Sequence, residues 1–233
     1  MRSRPLLRVG VGAAAAFVLA ATAWALLQAV AAPSSDERAE VAGTPAAVVV
    51  EVDQGDVDVR AVPGAAGASA TAAVRTVVTP ERTARLDGDE ARLSWTCRLW
   101  TTCRADVRAE MPPGVRLEAR TDFGDLRVAG PVGDVELETG SGEIEARAID
   151  GRLATIEGRS GDVTLAFVRR PFDVDVEVSS GDVDIAVPAG VYRIDAETRA
   201  GDVVLRGVGH HPDAPGRIRA DTTAGDVTVR VAP

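Results

Sequence analysis

Ser160-Gly161-Asp162-Val163-Thr164-Leu165 and Ser180-Gly181-Asp182-Val183-Asp184-Ile185 are two copies of one pattern, and this pattern decides the fold. Gly-Asp followed by Val or Leu recurs along the chain, starting at Gly55, Gly124, Gly133, Gly161, Gly181, Gly201 and Gly225. Gly142-Glu143-Ile144 keeps the pattern with Glu in place of Asp. A repeat this short cannot bury a core alone, so each copy must stack on its neighbours.

Apolar and polar residues alternate after each repeat, as in Val183, Ile185 and Val187, and this alternation is typical of half-buried strands. Glycines that tolerate a positive φ close each strand. Two strands make one coil, and equivalent repeats of successive coils are 18 to 20 residues apart in the sequence. The sequence therefore predicts an all-β fold, a flattened two-sheet β-solenoid. A β-sandwich of ordinary hairpins is the alternative, because nine-residue strand–turn units also suit antiparallel meanders.

The N-terminal segment, residues 1–32, has a different character. Arg2, Arg4 and Arg8 precede an uncharged run from Val9 to Ala32. A helix over this run is long enough to span a membrane, with the rest of the chain outside by the positive-inside rule. Its Ala-x-Ala end at residues 29–31 also suits a cleaved signal peptide. We expect a transmembrane or signal helix, and an extracytoplasmic remainder that is secreted if the signal is cleaved.

Three further segments follow from composition and periodicity. Residues 33–45 are aperiodic and predict a linker; residues 46–121 predict an irregular β capping region; residues 122–233 predict the regular solenoid. The chain after the basic flank contains 23 of the 26 arginines and all 35 acidic residues, so the net charge of this part is −12. Such a surface repels nucleic acid and anionic lipid headgroups, so we expect neither as a partner.

Cys97 and Cys103 are the only two cysteines of the chain. In an exported protein they predict a disulfide, here one that pins a hairpin around Trp95 and Trp100. The metal alternative lacks further ligands, since His210 and His211 are distant in the sequence and adjacent histidines point apart in an extended chain. We expect His210 and His211 to lie in a solvated loop near Asp213. Trp95 and Trp100 either cap a solenoid end or offer a sugar-stacking platform; capping is favoured.

Stacking places the repeated acids in one column with a spacing of about 4.8 Å. The predicted members are Asp125, Glu143, Asp162, Asp182, Asp202 and Asp226. Adjacent like charges repel. We expect local hydrogen bonds to turn amides to offset this, with countercharge from Arg127, Arg159 and Arg199. Calcium bridging of successive coils is the weaker alternative, because the denser nonapeptide of calcium-binding β-rolls is absent.

The Ser-Gly-Asp-Val strands and the Pro-x-Gly-Val turns, such as Pro188-Ala189-Gly190-Val191, resemble the adhesin-like β-strand-repeat family known as DUF4097. The resemblance spans about Val48 to Val231 and implies an exported or membrane-anchored bacterial β-solenoid without catalytic residues or cofactors.

No nucleophile elbow, phosphate loop or HExxH motif is present, and acids that recur with the repeat are structural rather than catalytic. We expect an adhesin-like binding or cell-envelope scaffold protein, not an enzyme. The alternatives are an accessory or sensory subunit of a membrane-protein stress system and, more remotely, a glycan-cleaving solenoid. The expected partners are an envelope glycan or a membrane protein.

Overall fold

Pairs of short strands, one in each of two facing sheets, build this molecule coil by coil. The computed structural model describes residues 34–76, 80–97 and 103–232. The predicted anchor or signal, residues 1–32, lies outside these ranges, as does Trp100. The described ranges contain strands and turns and no helix, which confirms the all-β prediction. Within them, no helical segment is long and apolar enough to cross a membrane.

Twenty strands follow one another along the described chain, numbered here in chain order. They are β1 (Ser34–Ala42), β2 (Ala47–Gln54), β3 (Val57–Ala61), β4 (Gly67–Thr76), β5 (Glu81–Asp87), β6 (Glu90–Thr96), β7 (Cys103–Met111), β8 (Arg116–Phe123), β9 (Leu126–Ala129), β10 (Val135–Ser141), β11 (Ile144–Ile149), β12 (Leu153–Ser160), β13 (Val163–Phe167), β14 (Asp173–Ser180), β15 (Val183–Val187), β16 (Val191–Thr198), β17 (Val203–Arg206), β18 (Gly209–His210), β19 (Arg217–Ala224) and β20 (Val227–Val231).

The strands form two ten-stranded sheets. Sheet A has the order β1-β4-β7-β3-β9-β11-β13-β15-β20-β17, and sheet B has the order β18-β16-β19-β14-β12-β10-β8-β2-β6-β5. Pairing is parallel throughout, except for the β1–β4, β4–β7 and β5–β6 pairs at one end. Parallel strands that lie side by side need a crossover connection, and here a strand of the opposite sheet provides it. The parallel pairing therefore confirms the solenoid and not the alternative sandwich of hairpins.

The coils do not stack in the order of the sequence. The coil β2–β3 lies between β6–β7 and β8–β9, and the C-terminal coil β19–β20 lies between β14–β15 and β16–β17. Near each end of the stack, two coils that are consecutive in the sequence are therefore separated in space by a third coil from elsewhere in the chain. As a result, the first and last parallel coils in sequence are each covered on both sides.

The core consists mainly of aliphatic side chains that stack from coil to coil. Val183 pairs in register with Val163 on one side and Val227 on the other, and all three are buried. Fully burying a valine, leucine or isoleucine stabilises the fold by about 1.5–3 kcal/mol. The alternation of buried and exposed positions, seen in β7 and β14, matches the predicted strand phase.

Glycines at the corner before sheet A allow coils to approach closely. Gly181 has a φ of 143°, a left-handed conformation that L side chains rarely adopt. A Cβ added at Gly181 would collide with the carbonyl oxygen of Gly161 on the preceding coil. The recurring glycine is therefore required both by its backbone conformation and by the contact between coils.

Two expectations about the N-terminal half are wrong. Most of the predicted linker, residues 33–45, is strand β1, because Ala39 and Val41 alternate with charged residues and pack against the core. The predicted hairpin is a corner of the coil, because β6 belongs to sheet B and β7 to sheet A. Within residues 46–121, β4 pairs antiparallel with β7 and β5 with β6, whereas β2, β3 and β8 pair in parallel.

Candidate functional site

The predicted acidic column is present at the corner where each coil enters sheet A. It is longer than expected, because Asp56 and Asp106 also belong to it. Its last two members, Asp202 and Asp226, stand in the opposite order from the one that the sequence predicts. The exchange of Asp202 and Asp226 follows from the position of β20 between β15 and β17. Along the stack the order is Asp106, Asp56, Asp125, Glu143, Asp162, Asp182, Asp226, Asp202.

Hydrogen bonds between coils hold these carboxylates. The backbone N–H of Asp182 donates to Oδ1 of Asp162 at 2.9 Å, and the N–H of Asp226 donates to Oδ1 of Asp182 at 2.8 Å. The N–H of Asp202 donates in turn to Asp226 at 2.8 Å. Bonds to a charged acceptor are stronger than neutral ones. The expected offset of like charges is therefore present, but it joins neighbouring coils rather than atoms within one turn.

Only part of the expected countercharge reaches the column. Arg127 pairs with Asp125 at 2.7 Å, and Arg104 pairs with Asp56 at 2.9 Å. Burial disfavours the charged form of Arg127, but the hydrogen bond and the charge of Asp125 outweigh this and raise the pKa of Arg127. Across residues 34–76, 80–97 and 103–232, no three His, Cys, Asp or Glu side chains converge as metal ligands.

A polar groove of about 450 Å³ lies at the ends of the sheet B strands. Its walls carry five carboxylates, the two guanidinium groups of Arg159 and Arg199, and the hydroxyls of Thr139, Ser179 and Thr223. Gly140 and Gly158 also line it. Arg159 and Arg199 thus serve this groove; no ion pair joins them to the acidic column in the described part of the chain.

The groove is acidic because its carboxylates lie side by side. Glu138, Glu157, Glu177 and Asp221 occupy matching positions on β10, β12, β14 and β19. Arg219 contacts Glu177 at 2.9 Å, and Arg120 contacts Glu138 at 3.3 Å. Among the described residues Glu157 has no ion pair, so its carboxylate is available in the centre of the row.

Arg120 holds one end of this row. Burial disfavours its charged form, but Glu118, Glu136 and Glu138 together outweigh this and raise the pKa of Arg120. The groove could not be predicted from the sequence. The glycines that interrupt β10 and β12, together with the acids in the same register, were its only signal.

The tryptophan and histidine expectations have different outcomes. Trp95 is 0% exposed, so it is neither a sugar-stacking platform nor the cap; β5 covers that edge of sheet B. His210 and His211 are exposed as expected. His210, however, belongs to the short strand β18, and its Nδ1 accepts the N–H of Ile194 at 3.1 Å. His210 thus covers part of the edge of β16.

The disulfide between Cys97 and Cys103 is present, with 6.1 Å between the two Cα atoms, as predicted. It joins the end of β6 in sheet B to the start of β7 in sheet A. It therefore closes one corner between the sheets. A stable disulfide of this kind is typical of a domain outside the cytoplasm.

Two solved structures are similar to this chain, and the first of them supports the fold described above. A crystal structure of a candidate cell adhesion protein from Clostridium sporogenes matches 86% of this chain and 100% of its own, with 13% identity and a TM-score of 0.58. A candidate adhesin from Bacteroides fragilis matches 86% of this chain and 97% of its own, with 9% identity and a TM-score of 0.38. No curated protein matches. The family model described as Toastrack DUF4097 matches residues 46–231, and the chain therefore belongs to the DUF4097 family.

Proposed function

We propose that this protein is a non-enzymatic, adhesin-like binding module of the bacterial cell envelope. Residues 1–32 hold it at the outer face of the membrane, and the groove of sheet B binds an envelope glycan. The disulfide and the likeness in fold to candidate adhesins support a location outside the cytoplasm. The groove is the observation that carries the binding role.

The groove has the chemistry of a site for hydroxyl-rich ligands. Carboxylate, guanidinium and hydroxyl groups line it, and each of these groups hydrogen-bonds sugar hydroxyls. Five carboxylates outnumber two guanidinium groups, so the groove disfavours anionic glycans. Neutral or amino-bearing sugars are the class that fits.

The repeated acids support binding rather than catalysis. In the corner column, several carboxylates are engaged by backbone N–H groups of the next coil. In the groove, the acids recur in register from strand to strand, as structural repeats do. A catalytic pair would instead need two carboxyl groups with different environments around one bond.

The test measures binding of neutral and amino-bearing envelope glycans to the full chain in detergent. The double variant Glu157→Gln/Glu177→Gln removes the central charges of the groove. We expect it to weaken binding by about tenfold or more, because hydrogen bonds to charged groups are worth about 1.5–3 kcal/mol. The control Glu145→Gln changes a carboxylate on the outer face of sheet A and should leave binding unchanged.

Equal binding by both variants would contradict the role of the groove. Capture of a membrane protein from solubilised membranes, without glycan binding, would favour the accessory-subunit alternative. Cleavage of the glycan by the wild-type chain would refute the non-enzymatic role.

A further inference from the structure

The C-terminal end of sheet A terminates in a strand with one free side. β17 pairs with β20 and has no second neighbour within the described residues. At the same end, sheet B is partly covered by β18, which pairs with Val191 and Tyr192 at the start of β16. The open edge of this end is therefore concentrated on β17.

The inward side chains of β17 are exposed although they occupy core positions. Val203 and Leu205 pair in register with Val227 and Val229, which are 0% exposed. Val203 and Leu205 are each 43% exposed, because no further coil lies on them. Exposed, aliphatic strand edges are sites at which other strands pair.

The backbone of β17 offers hydrogen-bonding groups to a new strand. The carbonyl oxygens of Ala200 and Asp202 point towards β20, where they accept the N–H groups of Gly225 and Val227. Because the direction alternates along a strand, the N–H and C=O groups of Val203 and Leu205 point to the open side. An incoming antiparallel strand can therefore pair with both residues.

This edge is complementary to itself. In the heptapeptide Gly201-Asp202-Val203-Val204-Leu205-Arg206-Gly207, an antiparallel copy centred on Val204 places Val203 opposite Leu205 and Asp202 opposite Arg206. The first pairing joins residues whose backbone groups face outward, so hydrogen bonds form on both sides of the centre. Within the described chain, the side chains of Asp202 and Arg206 have no ion-pair partner of their own.

We propose that two copies of this protein join end to end by antiparallel pairing of their β17 strands about a two-fold axis at Val204. Sheet A then continues from one copy into the other. The pairing covers Val203 and Leu205 and forms two ion pairs between Asp202 and Arg206. A two-fold contact of this type is isologous and closes on itself, so it stops at the dimer.

The position of Ser34, the first described residue, gives this contact a direction. β1 begins at Ser34 and lies at the opposite end of sheet A from β17. The two copies of Ser34 are therefore at the far ends of the dimer. With residues 1–32 at the membrane, as in the proposed function on which this step rests, the arrangement suits copies held on two facing surfaces better than neighbours in one membrane.

The first test is disulfide cross-linking of the full chain. Its only two native cysteines are bonded to each other, so an added cysteine is the sole free thiol. Val204→Cys places two cysteines across the axis as a non-hydrogen-bonded pair, with their Cα atoms about 4.5 Å apart, which suits a disulfide. The matched control is Thr228→Cys, the neighbour of Val204 on β20. Its copies lie three strand spacings apart, about 14 Å, and should not cross-link.

The second test exchanges the charges. Asp202→Arg or Arg206→Asp should each weaken dimerisation by about tenfold or more in Kd, because each variant faces like charges across the axis. The double variant Asp202→Arg/Arg206→Asp restores both ion pairs and should restore the dimer. Sedimentation of the full chain in detergent measures all three, and restoration in the double variant excludes a simple loss of folding.

Several outcomes would overturn the proposal. They are equal cross-linking of Val204→Cys and Thr228→Cys, a monomer at all concentrations, or no restoration by the double charge exchange. Stable capture of a different envelope protein by β17, with no cross-linked dimer of Val204→Cys, would equally exclude a second copy as the occupant.

Discussion

The two ends of the stack solve the problem of exposed strand edges in different ways. At the N-terminal end, the edge strands β1 and β5 are rich in charged residues, and six of the seven residues of β5 are exposed. Arg82 on β5 donates to the backbone oxygen of Arg38 on β1 at 2.8 Å, which ties the two sheets together. At the C-terminal end, β17 presents the aliphatic sequence Val203-Val204-Leu205. Charged edges resist pairing with other chains, whereas aliphatic ones favour it.

This difference shows that a stacking repeat leaves an unpaired strand edge at the end of the stack unless a different structure covers it. The N-terminal half ends the solenoid with antiparallel strands and a disulfide, and it loses the regular repeat in doing so. The C-terminal half keeps the repeat up to its last strand. It protects its terminal coil by inserting β19–β20 into the stack, but it leaves β17 open.

The largest expected effect comes from removing the inserted coil. Deletion of residues 217–232 leaves a gap between β14–β15 and β16–β17, rather than a shorter solenoid. Loss of buried Ile218, Val227 and Val229 alone costs on the order of 5 kcal/mol. We expect hydrogen exchange to show β16 and β17 unprotected. Deletion of residues 34–42, an edge strand, is the control and should leave β16 and β17 protected.

Ile185→Asp and Leu205→Asp compare a covered core position with its equivalent at the open end. Ile185 pairs with Val229, as Leu205 does, but only Ile185 is buried. We expect Ile185→Asp to cost several kcal/mol, about 3 or more, because it buries an unpaired charge. Leu205→Asp should cost less than about 1 kcal/mol in urea unfolding at concentrations that favour the monomer. Equal losses would mean that the C-terminal end is covered.

Removing the disulfide should weaken only the closed end. The double variant Cys97→Ser/Cys103→Ser is expected to lose about 2 kcal/mol, the entropy of closing a short loop in the unfolded chain. Hydrogen exchange should become faster in β6 and β7 and stay unchanged in β16 and β17. Thiol labelling of both cysteines in the exported, unreduced protein would contradict the bond itself.

Removing one inter-coil hydrogen bond of the acidic column should cause a smaller loss of stability. Asp182→Ala removes the acceptor for the N–H of Asp226 and should cost about 1 kcal/mol. Asp182→Asn keeps an acceptor oxygen and should cost less. Millimolar calcium should leave the melting temperature of the wild-type chain unchanged. A rise of several degrees that is reversed by EDTA and absent in Asp182→Asn would restore the calcium alternative.

The smallest effect concerns Tyr192, the only tyrosine of the chain. Burial raises the pKa of its phenol above the ordinary 10.0, and Arg170 offsets part of this increase. The unfolded chain therefore loses this proton at lower pH than the folded chain. The stabilisation is present below pH 10 and is lost as the pH rises through the folded pKa. Ultraviolet titration reports this group directly, and a midpoint at or below 10 would contradict the burial of Tyr192.

The strand phase could be predicted because it depends on neighbours within one strand. Val183 and Ile185 alternate with polar residues, and both are buried as expected. β1 was missed because Ala39 and Val41 are its only buried apolar pair, between charged residues that also suit a linker. The groove was missed because Glu138, Glu157 and Glu177 come together only through the register of three strands.

The sequence by itself determined the coil: its two strands, its inward residues, its corner glycine and its disulfide. Only the tertiary structure decided which coil lies beside which. The corner bonds are of the same kind from coil to coil: the N–H of Asp226 donates to Asp182, and the N–H of Asp202 donates to Asp226, so the corner by itself does not identify the neighbouring coil. The longer connection through residues 207–216 allows the last coil to return into the stack. The open edge of β17 follows from that choice, because the coil that follows β15 in sequence becomes the last in space.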